Sequence, residues 1–179
     1  LDVVMQSIVD SFYSKDLSQK IKTVMIAKAK KGQFIGSFSP YGYDKDPDNK
    51  NHLVIDENVA HVVRRIFEMA IDGKRGSEIS VALNNDKIET PSQYFVKKYP
   101  DCKKFKKRGS KGNSWDSSNV RRILQYKVYT GAIVSQTRQW KGIDVTQTTM
   151  RDEDDWIVVP NCHDAIVSDD EFNEAQKAI

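Results

Sequence analysis

The sequence predicts an α+β domain: a long N-terminal connector helix, then a mostly helical, winged helix-turn-helix-like domain with a small antiparallel β-sheet. Three observations predict it. Residues 2–31 contain neither Pro nor Gly. Between 57 and 125, three apolar stripes recur at helical spacing, broken by Gly, Pro and a basic run. After Gly131 short alternating segments take over, as in half-buried strands.

Each element has its own warrant. In the first helix Val4, Ile8 and Phe12 are spaced by four, the stripe slips one position, and Leu17, Ile21, Val24 and Met25 renew it before Gly32 ends it. So long a helix with so narrow a seam seldom packs alone. Residues 1–31 therefore read as a connector whose partner is a preceding domain or a second protomer. Residues 32–50 read as a linker loop. Its first part, Gly32 to Tyr43, has three Gly and one Pro against regular structure, four aromatics to anchor it, and no Walker-type Lys.

The domain proper is placed at 51–179. Leu53-Val54-Ile55 makes a short strand, and Asp56 caps a helix from Glu57 to Ile71 whose inner face is Val59, Val62, Val63, Ile66, Phe67 and Ala70, with Gly73 at its end. A second helix, Ser77 to Asn84, turns Ile79, Ala82 and Leu83 inward. Thr90-Pro91 reads as a stop before an extended segment. The third short helix, Ser117 to Gln125, places Val120, Ile123 and Leu124 on one side and polar residues elsewhere. Strands are predicted within Ala132–Thr137, around Ile143–Thr146 and over Trp156–Val159, and Ser168 to Glu171 cap a last helix to Ile179.

Charge is unevenly spread. The formal total is +3, yet Lys97 to Lys127 carries eleven Lys or Arg against Asp101 and Asp116, a local charge of +9. From Asp144 to Glu171 there are nine acids and one Arg. The basic stretch also holds Phe105, Trp115, Tyr126 and Tyr129, a combination that favours a nucleic-acid face over an ordinary solvated one. Trp115 is read as core rather than contact. Lys103 to Lys111 has too few apolar residues to fold by itself and reads as a basic loop.

Catalysis by this stretch alone is not indicated. Asp152, Glu153, Asp154 and Asp155 are adjacent, so their carboxylates splay instead of converging. His52, His61 and His163 have no nucleophile in view. Cys102 and Cys162 form no CxxC and fit a reduced cytosolic protein without a metal or other cofactor in this stretch. No apolar run is long enough to span a bilayer. The start at Leu1, with neither initiator Met nor signal pattern, reads as the interior of a longer protein.

Taken in order, the pieces resemble the recombinase domain of large serine recombinases, the resolvase-invertase superfamily of phage integrases and transposon resolvases. They are Ser14 to Gly32; Gly36 to Tyr43; Val59-Ala60-His61-Val62-Val63-Arg64-Arg65-Ile66-Phe67; Gly76 to Asn84; Trp115 to Leu124; Tyr126 to Gly131; and His163 to Ser168. The resemblance implies that the catalytic Ser and its activating Arg residues lie in a domain before the long helix, and that a cysteine-rich zinc ribbon follows. It implies a homodimer on double-stranded DNA, encoded by a bacterium or phage and working in the cytoplasm at the nucleoid. The basic stretch 103–111 departs from the family pattern, which often has a shorter loop there.

On that reading the chain recognises an attachment half-site for integration or excision. Lys28, Lys30, Lys31 and the loop residues Ser39, Tyr41 and Tyr43 would cross the minor groove. Lys106, Lys107, Arg108 and Lys111 would supply nonspecific attraction. In the major groove Arg121 or Arg122 suits guanine, Asn119 or Gln125 suits adenine, and Ser117 and Ser118 suit phosphate; Lys127 completes the DNA-binding set. Two alternatives stay open: a winged-helix transcriptional regulator whose long helix dimerises it, and a protein-interaction module whose basic loop meets an acidic partner.

Overall fold

The computed structural model describes residues 2–102, 114–140 and 148–177. Helix α1, Asp2–Lys30, runs the predicted length. Its apolar residues Met5, Val9, Phe12, Tyr13, Leu17, Ile21, Val24 and Met25 are all exposed, so this part of the seam is left uncovered by the described residues. Only the last turn docks. Ala29 is buried, and Gly32 (φ +69°) turns the chain while the Gln33 amide donates to the Lys28 carbonyl. A Cβ at Gly32 would lie 2.3 Å from the Cys162 sulfur, so glycine is required for space as well as for backbone geometry.

The segment read as a linker belongs to the core. Tyr43–Lys45 forms β1, which pairs antiparallel with β2, Leu53–Ile55, setting Tyr43 opposite Ile55. Phe34, Tyr41 and Tyr43 are buried in the same hydrophobic core as the helices. The four aromatics that suggested anchoring points outweigh the local Gly and Pro signals, because each large ring buried contributes about 1.5–3 kcal/mol.

Helix α2, Glu57–Ile71, starts where Asp56 accepts the Asn58 amide, and buries Val59, Val62, Val63, Ile66 and Phe67 as predicted. Helix α3 is Gly76–Asn85. Where Thr90-Pro91 reads as a stop, the structure starts a helix, α4, Pro91–Lys98. Proline at the first helical position forfeits no hydrogen bond. The Thr90 hydroxyl accepts the Gln93 amide at 3.3 Å, and the Gln93 side chain accepts the Thr90 amide at 2.8 Å. The extended segment is thus replaced by a capped helix.

Helix α5, Ser117–Leu124, leads through a 3₁₀ turn at Lys127–Thr130 into β3, Ile133–Ser135. Then come β4, Arg138–Trp140, β5, Thr148–Met150, β6, Ile157–Val159, and helix α6, Asp169–Gln176, capped by Ser168. β3 pairs with β6 and β4 with β5, both antiparallel. Among the described residues the sheet content is therefore three two-stranded pairs rather than one small sheet. The strand expected around Ile143–Thr146 lies outside the described residues. The acidic run at 152–155 is an exposed turn.

Two knots join distant segments. Tyr129, 1% exposed, donates its hydroxyl to the Tyr41 carbonyl at 2.8 Å, stacks near Tyr43 and meets Phe67 edge-on. Tyr43 donates to the Asp164 carbonyl at 2.9 Å and packs edge-on against His163, whose Nε2 lies 2.9 Å from the Val128 carbonyl. The second knot is the Asp56 carboxylate. Besides capping α2 it accepts the Tyr94 hydroxyl at 2.5 Å and Lys98 Nζ at 2.7 Å, and the same Nζ lies 2.8 Å from Asp44. Burial raises the Asp56 pKa, but the hydrogen bonds from Lys98 and Tyr94 outweigh it and hold the carboxyl below its usual range.

These knots predict measurable stability effects. Tyr129→Phe leaves the buried Tyr41 carbonyl without its donor and is expected to cost about 1–3 kcal/mol in urea unfolding. Burial pulls the His163 pKa below that of a free imidazole, outweighing the raising effect of the Val128 carbonyl. The unfolded chain therefore takes up a proton first, so this contribution is complete above about pH 6.5 and is lost as pH falls from there toward the folded-state value. Asp56 adds a second loss below about pH 4. A urea midpoint that stays flat on descending from about pH 7 to about pH 5 contradicts the His163 assignment.

Candidate nucleic-acid interface

Helix α5 is two-faced. Asp116 caps it by accepting the Asn119 amide at 2.7 Å, and Val120, Ile123 and Leu124 are buried. Ser117, Ser118, Arg121, Arg122 and Gln125 are exposed, while Asn119 is half-buried. The inner face packs on α3.

Three further contacts fix the helix in place. The Asn84 side chain both accepts the Trp115 amide at 2.8 Å and donates to the Trp115 carbonyl at 2.9 Å. Trp115 is 3% exposed, and its indole N–H donates to the Ile88 carbonyl at 2.9 Å, so it is core, as read from the sequence. At the other end Gln176 of α6 donates to the Leu124 carbonyl at 2.7 Å, satisfying one of the helix's terminal acceptors.

The cations divide into two sets. Lys97 is paired with Glu89, Lys98 with Asp44 and Asp56, Arg65 with Asp86, and Arg64 with Glu57. Two charges of the +9 stretch are thus neutralised inside the fold. Among the described residues, Arg121, Arg122 and Lys127 form no ion pair, and neither do Lys74, Arg75 and Arg138, which stand on neighbouring elements.

Three open clefts border α5. One, about 470 Å³, lies between it and the start of α3 and is lined by Lys74, Arg75, Ser77, Ser117, Ser118 and Arg121 among others. A second, about 520 Å³, opens beyond its C-terminal end, with Arg122, Gln125, Lys127 and Arg138 around Tyr126, Met150 and Trp156. The third, about 250 Å³, separates it from α4 and the Phe38–Tyr41 segment.

The candidate residues fall into four groups. The α5 set and Lys127 share one surface. Lys28, Lys30 and Lys31 sit at the end of α1, which docks on β6 and β3; Lys28 is half-buried and the other two are exposed. Ser39, Tyr41 and Tyr43 are 4%, 6% and 1% exposed, so their assignment to the minor groove is corrected: both tyrosine rings are spent on the core and cannot reach a duplex. Lys106, Lys107, Arg108 and Lys111 lie outside the described residues. Sequence reasoning passed over Lys74, Arg75 and Arg138, which are isolated in sequence from the basic stretch.

A family model described as Recombinase matches residues 57–179. The chain belongs to the Recombinase family. The fold is also similar to that of two solved structures. One is a crystal structure of a large serine recombinase–DNA complex, at TM-score 0.56 and 14% identity over 89% of this chain and 37% of that one. The other comes from work on the sequence requirements of the Listeria innocua prophage attP site, at TM-score 0.51 and 14% identity over 89% of this chain and 50% of that one. The chain thus spans half or less of the length of these two chains.

In this Recombinase-family domain the Asn84–Trp115 clasp sets where α5 begins. Asn84→Ala leaves two partners of Trp115 unsatisfied and is expected to cost about 1–3 kcal/mol. Amide hydrogen exchange checks it: protection at Ser117–Leu124 falls more than at Val59–Phe67, whereas equal losses contradict a local role for the clasp.

Proposed function

We propose that this chain is the DNA-binding part of a site-specific serine recombinase and that it reads an attachment half-site with α5. The observation that carries the reading is the outward face of that helix. Arg121, Arg122 and Gln125 project from a rigidly seated element and, among the described residues, enter no internal ion pair. Membership in the Recombinase family favours this over a regulator of similar shape.

An α-helix fits the major groove, where a guanidinium bonds both acceptors of a guanine and a carboxamide bonds adenine. Arg122 and Arg121 take the first role and Gln125 the second, with Asn119, set deeper, reaching less far. Ser117 and Ser118 lie at the helix start and suit a phosphate oxygen. Lys30 and Lys31 extend the positive surface along the duplex, and the basic run 103–111 adds sequence-independent attraction. In the intact protein a preceding catalytic domain, a following zinc ribbon and a second copy on the same site complete the machinery for integrating or excising a mobile element. No helix among the described residues is long and apolar enough to cross a membrane.

The test is binding to a duplex that the protein selects from a randomised pool. Arg122→Ala is expected to relax preference at one base pair by about 1–3 kcal/mol. Lys97→Ala, which removes a charge already paired with Glu89, is expected to leave both preference and salt dependence nearly unchanged. A uniform loss across all positions for Arg122→Ala contradicts the placement of α5 in a groove.

A further inference from the structure

We infer that two clefts flanking α5 are phosphate clamps that hold opposite strands of the duplex: Lys74 and Arg75 at one, Lys127 and Arg138 at the other. The inference rests on the proposed reading of α5 and adds three residues, Lys74, Arg75 and Arg138, that the basic stretch does not contain. Its first support is geometric. Eight residues of α-helix, Ser117–Leu124, span roughly 12 Å. The major groove is about as wide, so a helix seated in it has a phosphate backbone on either side. One cleft runs along the α5 flank at Ser117, Ser118 and Arg121 toward the start of α3, and the other opens past its last turn at Arg122, Gln125 and Lys127. Their placement at α5 matches that of the two backbones.

The second support is electrostatic. Cations are favoured at a helix C-terminus and disfavoured at its N-terminus. Lys28 and Lys30, in the last turn of α1, therefore have a structural reason to be where they are. Lys74, two residues past the α2 C-cap Asp72 with its amide on the Met69 carbonyl, shares that reason, but Arg75 has none. Arg75 is the N-cap of α3, the end already carrying positive partial charge, and Lys74 directly precedes it. The one acid in the first turn, Glu78, has its carboxylate turned to the Arg75 backbone amide at 2.7 Å, so it serves as a cap and pairs with neither side chain. Lys74, Arg75, Lys127 and Arg138 are exposed and, among the described residues, form no ion pairs, unlike Arg64, Arg65, Lys97 and Lys98.

The third is the chemistry of the walls. Ser77, Ser117 and Ser118 supply hydroxyl donors in the first cleft, which suits a phosphodiester. In the second, the apolar floor of Tyr126, Met150 and Trp156 suits the sugar edge beside it, with Glu153 marking a boundary that an anionic backbone would avoid.

The experiment uses the intact 179-residue chain with Arg75→Gln and Arg138→Gln, alone and together, and Arg65→Gln as a control. Affinity is measured against salt on the duplex that the wild-type chain selects. Each clamp variant is expected to lower the log–log slope by about 0.9 and the pair by about twice that, while the control leaves it unchanged. Neutral methylphosphonate linkages are then placed along each strand in turn. Those that cease to matter for Arg75→Gln are expected on one strand, and those for Arg138→Gln on the other. Unchanged slopes, or both sets on the same strand, overturn the clamps while leaving the α5 reading intact. A wild-type chain that selects no sequence and binds without salt dependence overturns that reading itself. Circular dichroism melts matching wild type establish that the variants are folded.

Discussion

The hydroxyl of Tyr129, bonded to the Tyr41 carbonyl across 88 residues of chain, is the constraint on which the rest of the structure depends. Tyr129 sits in the 3₁₀ turn that directly follows α5, so whatever holds it fixes the end of that helix against the core. It is held on every side: Tyr41 and Tyr43 from the segment after α1, Phe67 from α2, and the amides of Ile166 and Val167, both donating to its carbonyl. Such a ring tolerates little displacement, since a close-packed core transmits small shifts instead of absorbing them. The result is an eight-residue helix, too short to be stable alone, presented as a rigid surface.

That arrangement gives the motifs of the sequence a physical meaning. Gly36 to Tyr43, Tyr126 to Gly131 and His163 to Ser168 lie far apart in the chain, yet they converge on Tyr43, Tyr129 and His163. Their shared task is to build the platform behind α5. Two of the three glycines in these segments show how tight it is. A Cβ at Gly42 would stand 3.0 Å from both Val63 and Ile166, and one at Gly131 would fall 2.6 Å from the His163 carbonyl oxygen. The outward polar residues of α5 and the aromatic platform beneath it are thus separate parts of the fold.

Much of this was legible from the chain. The span of α1, the Asp56 cap, the buried stripe of α2 and the two faces of α5 all follow from local periodicity and capping, which need no knowledge of distant contacts. What was not legible depended on tertiary pairing. Tyr43–Lys45 becomes a strand only because Leu53–Ile55 is beside it, the Tyr41 ring turns inward onto Tyr94, Phe95 and Trp115, and Tyr43 turns inward to the Asp164 carbonyl. Thr90-Pro91 carries both a stop and a start signal, and the Gln93 side chain decides between them. Charge counting failed in the same way. It could not see that Lys98 serves Asp44 and Asp56, nor that Lys74 and Arg75 fold up beside α5.

On the proposed reading, duplex DNA lies against the outward face of α5 and away from the outer face of α2. Photo-crosslinking decides it most directly, with benzoylphenylalanine installed at Gln125 in one protein and at Glu68 in another, each irradiated with the selected duplex. Both side chains are exposed, so neither substitution disturbs the core. Covalent DNA adducts are expected from position 125, mapping to bases within the selected site, and none above background from position 68. Adducts of equal or greater yield from position 68 would contradict that reading.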